Sequence, residues 1–186
     1  EIPFKVLNNE ELDKLKESIK DNGVLEPIIV RKKDDKYEIV SGHRRKLAST
    51  LVGLKKIPCI VRNMTDDEAT IYMVDSNMHR ETILPSEKAK AYKMKLDALS
   101  HQGQRNDLTL GQNVPKYKRS TEAIAEGTGE SYKQVQRYIR LTELIPDLLD
   151  MVDRKRLNFT IAVDISYIDK KVQKWLCEYI HENGFI

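Results

Sequence analysis

The sequence of 186 residues lacks the features that mark several protein classes. No apolar run approaches the roughly 20 residues needed to cross a bilayer, and no N-terminal signal pattern, internal repeat or low-complexity tract is present. The two cysteines, Cys59 and Cys177, have no metal-ligand spacing. Each lies in an apolar run, so we expect both to be reduced core residues. These absences favour a cytoplasmic protein that has no membrane partner.

Composition leaves the choice between domain classes open. Hydrophobic residues make up 40% of the chain and charged residues 33%, which is typical of a soluble globular protein with a high charge content. The length suffices for one large domain or two small ones. A net charge of +3 is only mildly basic, so the distribution of charge must decide whether nucleic acid is a partner. The chain begins EIPFKV without methionine, which is typical of an excised fragment.

Helical and β patterns alternate over the first 64 residues. EELDKLKESIKDNGV has the apolar spacing of a helix, with Gly23 where a C-terminal cap is expected. PIIVRK and KYEIVS flank a KDDK turn and predict a β-hairpin. RRKLASTLVG predicts a short helix that ends at Gly53. IPCIVRN predicts a buried strand, because it is apolar without alternation.

From Thr65 onward the pattern is helical. TDDEATIYMVDSNMHRE opens with a capping box formed by Thr65 and Glu68. LPSEKAKAYKMKLDAL predicts a longer helix with Ser86 as its N-cap. TELIPDLLDMVD and DKKVQKWLCEYIHENG predict further helices, with Trp175 and Leu176 expected in the core.

Residues 101–119 are polar and show no sustained period, so they predict a linker or loop. We therefore expect an N-terminal domain of residues 1–100 and a helical domain of residues 120–186. The fold class expected is an α+β domain followed by an all-α domain.

STEAIAEGTGESYKQVQRYIRLTEL, which follows the predicted linker, has the spacing of a helix-turn-helix. Ala125 is small enough for a second helix to cross closely, Gly129 can take the positive φ of a tight turn, and Val135 can pack back onto the first helix. Residues 116–140 hold six basic and three acidic residues. The alternative is a plain helical pair whose basic face is only solvated, but the combination favours double-stranded DNA as partner.

Polar and basic side chains around this pattern are the candidates for contacts with DNA. Arginine and lysine suit guanine edges or phosphates, glutamine suits adenine, and hydroxyl groups suit the backbone. The candidate DNA-binding residues are Lys118, Arg119, Ser120, Ser131, Tyr132, Lys133, Gln134, Gln136, Arg137 and Arg140.

IVSGHRRKLAS places Ser41, Gly42, His43, Arg44 and Arg45 where a strand ends and a helix begins. The N–H groups of a helix start and the helix dipole favour an anion. Glycine would let a phosphate approach the backbone, and the two arginines could bind it through charge-assisted hydrogen bonds. Taken alone, this stretch is equally consistent with a solvated helix start.

Four stretches occur in the order of a known family pattern: GVLEPIIV, SGHRR, NMHRE and PSEKA, followed by the helix-turn-helix. They resemble the motifs G-[IV]-x-Q-P-[IL]-x-V, G-E-R-R and E-N-[IL]-Q-R-E-x-L-x-P-x-E-x-A of the ParB family of plasmid and chromosome partition proteins. The resemblance covers almost the whole chain. It implies a ParB/sulfiredoxin-like nucleotide-binding domain followed by a helix-turn-helix DNA-binding domain.

The resemblance also implies partners and a cofactor. ParB proteins bind a palindromic parS site and act as a DNA clamp whose closure is driven by CTP with Mg²⁺, and slow CTP hydrolysis resets the clamp. It implies a homodimer in the full-length protein and a ParA-type ATPase as partner. We expect the segment that contacts ParA, and the C-terminal dimerisation domain, to be missing from this chain. It further implies a cytoplasmic location on the nucleoid or on a plasmid.

Carried over by residue, the resemblance implies a nucleotide site. Gly42, Arg44 and Arg45 match the phosphate-binding motif, in a turn that also holds the candidate residues Ser41 and His43. Pro27 and Val30 match the motif near the base, where Glu26 is a further candidate. A third motif lies near the triphosphate and metal. The third motif supplies Asn77, the candidate Mg²⁺ ligand, together with His79 and Arg80. No catalytic residue is predicted.

The sequence departs from the family pattern at four positions. Glu26 replaces glutamine, His43 replaces glutamate, Ser76 replaces glutamate and His79 replaces glutamine. One alternative is therefore a ParB-like transcriptional regulator or nucleoid-organising protein without nucleotide switching. Another is an enzyme of the same superfold, sulfiredoxin-like or a nuclease. Sulfiredoxins carry a cysteine at the turn where this chain has Ser41-Gly42, and no nuclease-type carboxylate cluster is evident, so both enzymes are disfavoured.

Overall fold

The computed structural model describes residues 3–4, 10–78, 80, 82–106 and 116–184, without the side chains of residues 103–106 and 116–119. The described residues between 10 and 77 form one compact unit, which we call the mixed unit. Those from 78 onward, with Pro3 and Phe4, form a second, which we call the helical unit. No helix within the described ranges is both long and apolar enough to cross a membrane.

The mixed unit contains three helices and a small sheet. Its elements are α1 (Glu10–Asn22), β1 (Ile28–Lys33), β2 (Lys36–Ser41), α2 (His43–Leu51), β3 (Cys59–Val61) and α3 (Asp66–Met78). The strand order is β2-β1-β3, with β1 antiparallel to β2 and parallel to β3. The predicted helices and hairpin of this region are therefore confirmed.

The core of the mixed unit joins α1 to α2. Leu12, Ile19 and Ala48 are buried together, and full burial of a leucine or isoleucine side chain contributes about 1.5–3 kcal/mol. At the start of α3, Thr65 and Glu68 form the predicted capping box. The Thr65 amide donates to the Glu68 carboxylate at 2.8 Å, and the Glu68 amide donates to the Thr65 hydroxyl at 3.2 Å.

Strand β3 corrects one prediction. All three of its residues are exposed, including Cys59, because β3 is a three-residue strand at the edge of the sheet. The apolar run IPCIVRN therefore does not form a buried strand, and Cys59 is not a core residue. Cys177, in contrast, is buried as predicted.

Every described element of the helical unit is helical. They are α4 (Pro85–Asn106), α5 (Lys116–Thr128), α6 (Tyr132–Arg140), a 3-10 turn (Leu141–Glu143), α7 (Pro146–Asp153), α8 (Phe159–Ile165) and α9 (Lys170–Asn183). One core cluster packs α4 on α5 and α6 through Tyr92, Leu96, Ile124 and Val135. A second cluster joins α7, α8 and α9.

The boundary between the two compact units differs from the boundary between the two predicted domains. The boundary falls between residues 77 and 78, because Tyr92 and Leu96 of α4 are buried against α5 and α6. The predicted linker of residues 101–119 is also shorter at both ends, since α4 continues to Asn106 and α5 begins at Lys116. Between them, residues 107–115 lie outside the described residues.

Two further predictions for the helices are wrong in detail. Helix α4 begins at Pro85, so Ser86 lies within its first turn and does not cap it. The Ser86 amide and hydroxyl instead donate to the Asp153 carboxylate, at 2.9 and 2.5 Å. Trp175 is 56% exposed because α9 turns Gln173, Cys177 and Ile180 inward. Leu176 is partly buried against the second core cluster.

Candidate functional site

The turn after β2 is built around Gly42. Gly42 has φ 101° and is the N-cap of α2, so the chain reverses there in a conformation that favours glycine. A Cβ atom at this position would lie 2.7 Å from Cγ2 of Ile28. Both the backbone conformation and the available space therefore require glycine. The consequence is a bare backbone turn at a helix N-terminus, which suits an anion.

Strand irregularity helps to direct this turn. The β1–β2 register shifts between Ile29 and Val30, so that Ile29 pairs with Ser41 and Val30 pairs with Ile39. A bulge bends its strand and redirects the residues that follow. Ser41 and His43 are half-buried on either side of Gly42.

Arg45 joins the turn to the segment before β1. Its Nη1 donates to the carbonyl oxygens of Glu26 and Pro27, at 2.8 and 2.9 Å. The same nitrogen lies 3.3 Å from a carboxylate oxygen of Glu26. The structure thus brings three of the predicted site residues together, Glu26, Pro27 and Arg45.

Arg44 extends toward α1. Its Nη1 donates to the Glu11 carboxylate at 2.9 Å, in a pair that is partly exposed. Its Nε is buried and has no hydrogen-bond partner within the described part of the chain. Burying a guanidinium N–H without a hydrogen-bond acceptor costs free energy. An anion at the turn would be such an acceptor. Glu11 was not predicted as a site residue, since only the fold places α1 beside α2.

The third motif is less complete. Asn77 lies in the last turn of α3, where its amide nitrogen donates to the Met73 carbonyl oxygen at 2.7 Å. Its described hydrogen bonds remain within that helix. Arg80 belongs to the helical unit, in which its guanidinium lies over the Phe4 ring at 5.3 Å. His79 lies outside the described residues.

An ionic cluster on β1 was not predicted. Arg31 is buried, and its Nε donates to Glu38 at 2.6 Å. It also pairs with Asp66 at the start of α3 and donates to the Met64 carbonyl oxygen at 3.3 Å. The hydrogen bond from Arg31 holds the pKa of Asp66 below its usual value, and Lys33 adds to the effect. This cluster fastens α3, which carries Asn77, to the sheet.

In the helical unit, α5 and α6 are joined by a short turn. Gly129 has φ 70° in that turn, and Ser131 caps α6 by accepting from the Gln134 amide at 3.2 Å. Ile124 and Val135 are fully buried between the helices. The predicted helix pair, its turn and its apolar contacts are therefore present.

The candidate DNA-contacting residues of α6 lie away from its buried side. The apolar Val135 and Ile139 face the core, whereas the polar candidate residues are exposed or half-buried. These are Ser131, Tyr132, Lys133, Gln134, Gln136, Arg137 and Arg140. On α5, Ser120 is half-buried, and Lys118 and Arg119 lie on the helix with side chains outside the description.

Several of these side chains have internal partners. Arg137 Nη2 donates to the Thr160 hydroxyl at 2.8 Å, and the Gln136 amide donates to the Tyr132 hydroxyl oxygen at 2.7 Å. Arg140 donates from Nε and Nη2 to the hydroxyl and carbonyl oxygens of Ser166, at 3.1 and 2.7 Å. These contacts fix the orientation of the exposed side chains.

A polar cluster beneath the turn was missed at the level of sequence. Lys88 of α4 pairs with Glu130, which lies between Gly129 and Ser131. Its ammonium also lies over the Tyr92 and Tyr138 rings, at 5.8 and 4.7 Å. Burial is the largest cause that raises the pKa of Tyr92. The cluster ties the turn to α4.

Known proteins are similar to this chain in sequence. Residues 2–78 match the ParB N-terminal domain. The chain is 30% identical over 182 residues to the probable chromosome 1-partitioning protein ParB of Deinococcus radiodurans, covering 98% of this chain and 57% of that protein. It is 31% identical over 183 residues to the nucleoid occlusion protein of Listeria innocua, covering 97% of this chain and 58% of that protein.

A solved structure is similar over both units. It is the C-terminally truncated chromosome-partitioning protein ParB from Caulobacter crescentus, complexed to the centromeric parS site. The TM-score is 0.56 and the sequence identity 26%, over 99% of this chain and 86% of that one.

The sheet, the helices around it and the turn at Gly42 thus define a ParB N-terminal domain. The chain belongs to the ParB family. It spans between 45% and 61% of the length of the first curated relatives it matches.

Proposed function

We propose that this chain is the DNA-binding and nucleotide-binding part of a partition protein that recognises a palindromic, parS-like site. The observation that carries the DNA-binding proposal is the outward face of α6, on which basic and amide side chains stand opposite the buried Val135 and Ile139. Such a helix fits the major groove, where arginine, lysine and glutamine meet base edges and phosphates. The similarity to a ParB structure complexed to parS supports the same assignment.

The mixed unit binds the triphosphate of CTP in this proposal. Support comes from the side-chain-free turn at Gly42 and from the buried Arg44 Nε, which lacks a protein acceptor among the described residues. Arg45 is already held by Glu26 and Pro27, so it positions the segment before β1 beside the turn. CTP is the nucleotide implied by the family resemblance.

Magnesium would arrive with the nucleotide. Asn77 is the candidate protein ligand, and its neighbour Ser76 stands where the family carries a carboxylate. The described residues contain no cluster of three metal-binding side chains. Mg²⁺ commonly keeps several waters and is held by substrate phosphates with one or two carboxylates. The phosphates would therefore supply most of the binding here.

The nucleotide would act as a switch in the full-length homodimer. Its binding would close a clamp on DNA, slow hydrolysis would reopen it, and a ParA-type ATPase would move the complex on the nucleoid or a plasmid in the cytoplasm. Of this chain's residues, Gly42 and Arg44 would bind the phosphates, Arg45 would hold the segment before β1 beside them, and the polar residues of α6 would bind DNA.

A second candidate function is that of a DNA-binding regulator or nucleoid-organising protein without nucleotide switching. It is favoured by the internal pairing of both arginines, Arg44 with Glu11 and Arg45 with Glu26. Carboxylates at these positions compete with a phosphate for the guanidinium groups. The 31% identity to a nucleoid occlusion protein is consistent with the nucleoid-organising role.

DNA recognition is tested by fluorescence anisotropy with a parS duplex and a scrambled duplex of equal length. We expect a preference for parS of at least about a thousandfold, as in specific protein–DNA complexes. Replacing Lys133 by alanine should weaken binding to both duplexes. Equal affinity of the unmodified chain for the two duplexes would refute site recognition.

Isothermal titration with CTP, ATP, GTP and UTP, each with Mg²⁺, separates the two candidate functions. The measurements are made with and without the parS duplex. For a switch, we expect that only CTP binds among the four nucleotides and that the duplex increases its affinity. If none of the four nucleotides gives heat under either condition, the regulator without nucleotide is the correct function.

A further inference from the structure

A groove runs along the outward face of α6 and reaches beyond it. Its volume is about 490 Å³. Most of its lining residues belong to α6 and to the 3-10 turn that follows, and two come from outside this segment, Lys93 of α4 and Tyr167 of the α8–α9 connection. The lining residues are Lys93, Lys133, Gln136, Arg137, Ile139, Arg140, Thr142, Glu143 and Tyr167.

The groove is strongly cationic. Four of its lining residues are lysine or arginine, and Glu143 is the single carboxylate among them. The Glu143 carboxylate is itself 3.9 Å from the ammonium of Lys170, so its charge is partly offset. A concave surface that gathers charge of one sign concentrates a ligand of the opposite sign. The ligand class is therefore a polyanion.

Arg140 is oriented in the groove by two neighbours. Ser166 accepts hydrogen bonds from its Nε and Nη2, and its guanidinium lies 4.1 Å above the centre of the Tyr167 ring. These contacts leave Nη1 as the guanidinium nitrogen without a described partner. The Tyr167 side chain is 71% exposed, so its hydroxyl group is accessible beside the arginine.

Lys93 brings a charge from a different helix. Its side chain is 46% exposed and lies 3.4 Å from Asp97, one turn further along α4. An exposed pair of this kind contributes little to stability. The ammonium is therefore available to a stronger anionic partner. Lys93 was not predicted as a site residue, because it precedes the helix-turn-helix by more than 20 positions in the sequence.

We propose that one side of this groove binds a sugar–phosphate strand of DNA, where Lys93 and Tyr167 contact its phosphates from outside the helix-turn-helix. The inference rests on the proposed DNA-binding function and extends its interface to α4 and the α8–α9 connection. A helix in the major groove has a phosphate backbone on each side. Lys93 and Tyr167, which line the groove from outside α6, are therefore placed to meet a backbone, whereas the polar side chains of α6 meet the bases.

The test measures the salt dependence of DNA affinity. Each phosphate neutralised by a protein cation contributes about 0.9 to the slope of log affinity against log salt concentration. The full 186-residue chain is titrated with a mixed-sequence duplex of about 20 base pairs, two helical turns, and in parallel with a parS duplex. Lys93→Ala is expected to lower the slope by about 0.9 on both duplexes. Lys93→Arg should restore it.

Lys174→Ala is the matched control. Lys174 is exposed on α9 and does not line the groove, so its loss should leave the slope unchanged.

Tyr167→Phe keeps the aromatic ring over Arg140 but removes the hydroxyl group, which is an uncharged hydrogen-bond donor. It should weaken binding several-fold at every salt concentration, with the slope unaltered. Asp97→Asn frees the Lys93 ammonium and should tighten binding about twofold.

The outcomes separate this inference from the proposed function. If Lys93→Ala leaves the slope unchanged, or changes it no more than Lys174→Ala does, the groove is not the phosphate site. If the slope falls but parS is not preferred over the mixed-sequence duplex, the groove assignment stands and site recognition fails. Failure of the unmodified chain to bind either duplex would overturn both.

Discussion

A Cβ atom added at Gly42 would lie 2.7 Å from Cγ2 of Ile28, the first residue of β1. The helix that carries Arg44 and Arg45 therefore starts where the backbone itself packs on the strand. Any larger residue must push β1 away or move the turn, so the geometry of the candidate anion site depends on this one contact.

Gly42→Ala should consequently destabilise the chain more than Gly53→Ala. Both glycines have positive φ, 101° and 87°, but an added Cβ at Gly53 meets nothing within 4 Å. The shared backbone strain costs about 1–2 kcal/mol, and the clash at Gly42 adds about 1–3 kcal/mol. Urea denaturation of the two variants measures the difference. Equal losses would show that Ile28 yields without cost.

Glu11→Gln should strengthen CTP binding several-fold, if the mixed unit binds the nucleotide as proposed. The Glu11 carboxylate accepts a hydrogen bond from Arg44 at 2.9 Å and so competes with a phosphate for it. Glu17→Gln, an exposed change on the same helix, is the control and should have no effect on CTP affinity.

Arg44→Ala should lower the CTP affinity more than tenfold, consistent with loss of a charge-assisted contact worth about 1.5–3 kcal/mol. Isothermal titration gives all three values. Identical affinities for the two glutamate variants would contradict the prediction.

Stability should fall at acidic pH partly through Asp66. Arg31 and Lys33 lower the pKa of Asp66 in the folded chain. A group whose pKa is depressed by folding stabilises the fold above its unfolded pKa of about 3.9, and this contribution is lost as the pH falls through the folded value. Asp66→Asn should therefore cost stability at pH 7 and flatten the loss of stability below pH 4. The exposed Asp97→Asn variant is the comparison, and a profile unchanged in Asp66→Asn would exclude the role.

The two cysteines should differ in reactivity. Cys59 is exposed on β3, whereas Cys177 is buried in the helical core, and burial raises the pKa of the Cys177 thiol. Because the thiolate is the reactive form, Ellman's reagent should modify one thiol rapidly and the second only on unfolding. Cys59→Ser should remove the rapid phase and Cys177→Ala should not. A rapid phase that persists in Cys59→Ser would contradict the structure.

Local patterns predicted much of the fold because they depend on few neighbouring residues. The capping box at Thr65 and Glu68 needs only helix geometry, and both of its hydrogen bonds are present. The α5–α6 pair followed from small and apolar residues at fixed spacing, and Ile124 and Val135 are buried accordingly. Gly42 was a candidate because a glycine between a strand and a basic helix start favours a turn.

Features that depend on distant residues were not predictable in the same way. IPCIVRN is apolar, but only the strand order shows that β3 lies at an edge. Trp175 is exposed because Gln173 takes a core position. There the side-chain amide of Gln173 forms hydrogen bonds with backbone groups of Ile145, Ile165 and Ile168. Hydropathy alone would place glutamine outside and tryptophan inside.

The sequence by itself determined the family, the order of the elements and the residue types of the two candidate sites, because motif spacing and periodicity are properties of the chain. Only the tertiary structure placed Glu11 beside Arg44, Arg31 beside Asp66, and Lys93 and Tyr167 beside α6. These partners are 33 to 35 residues apart in the first two cases. Packing of helices and strands decides such proximities, and it depends on contacts that no local pattern records.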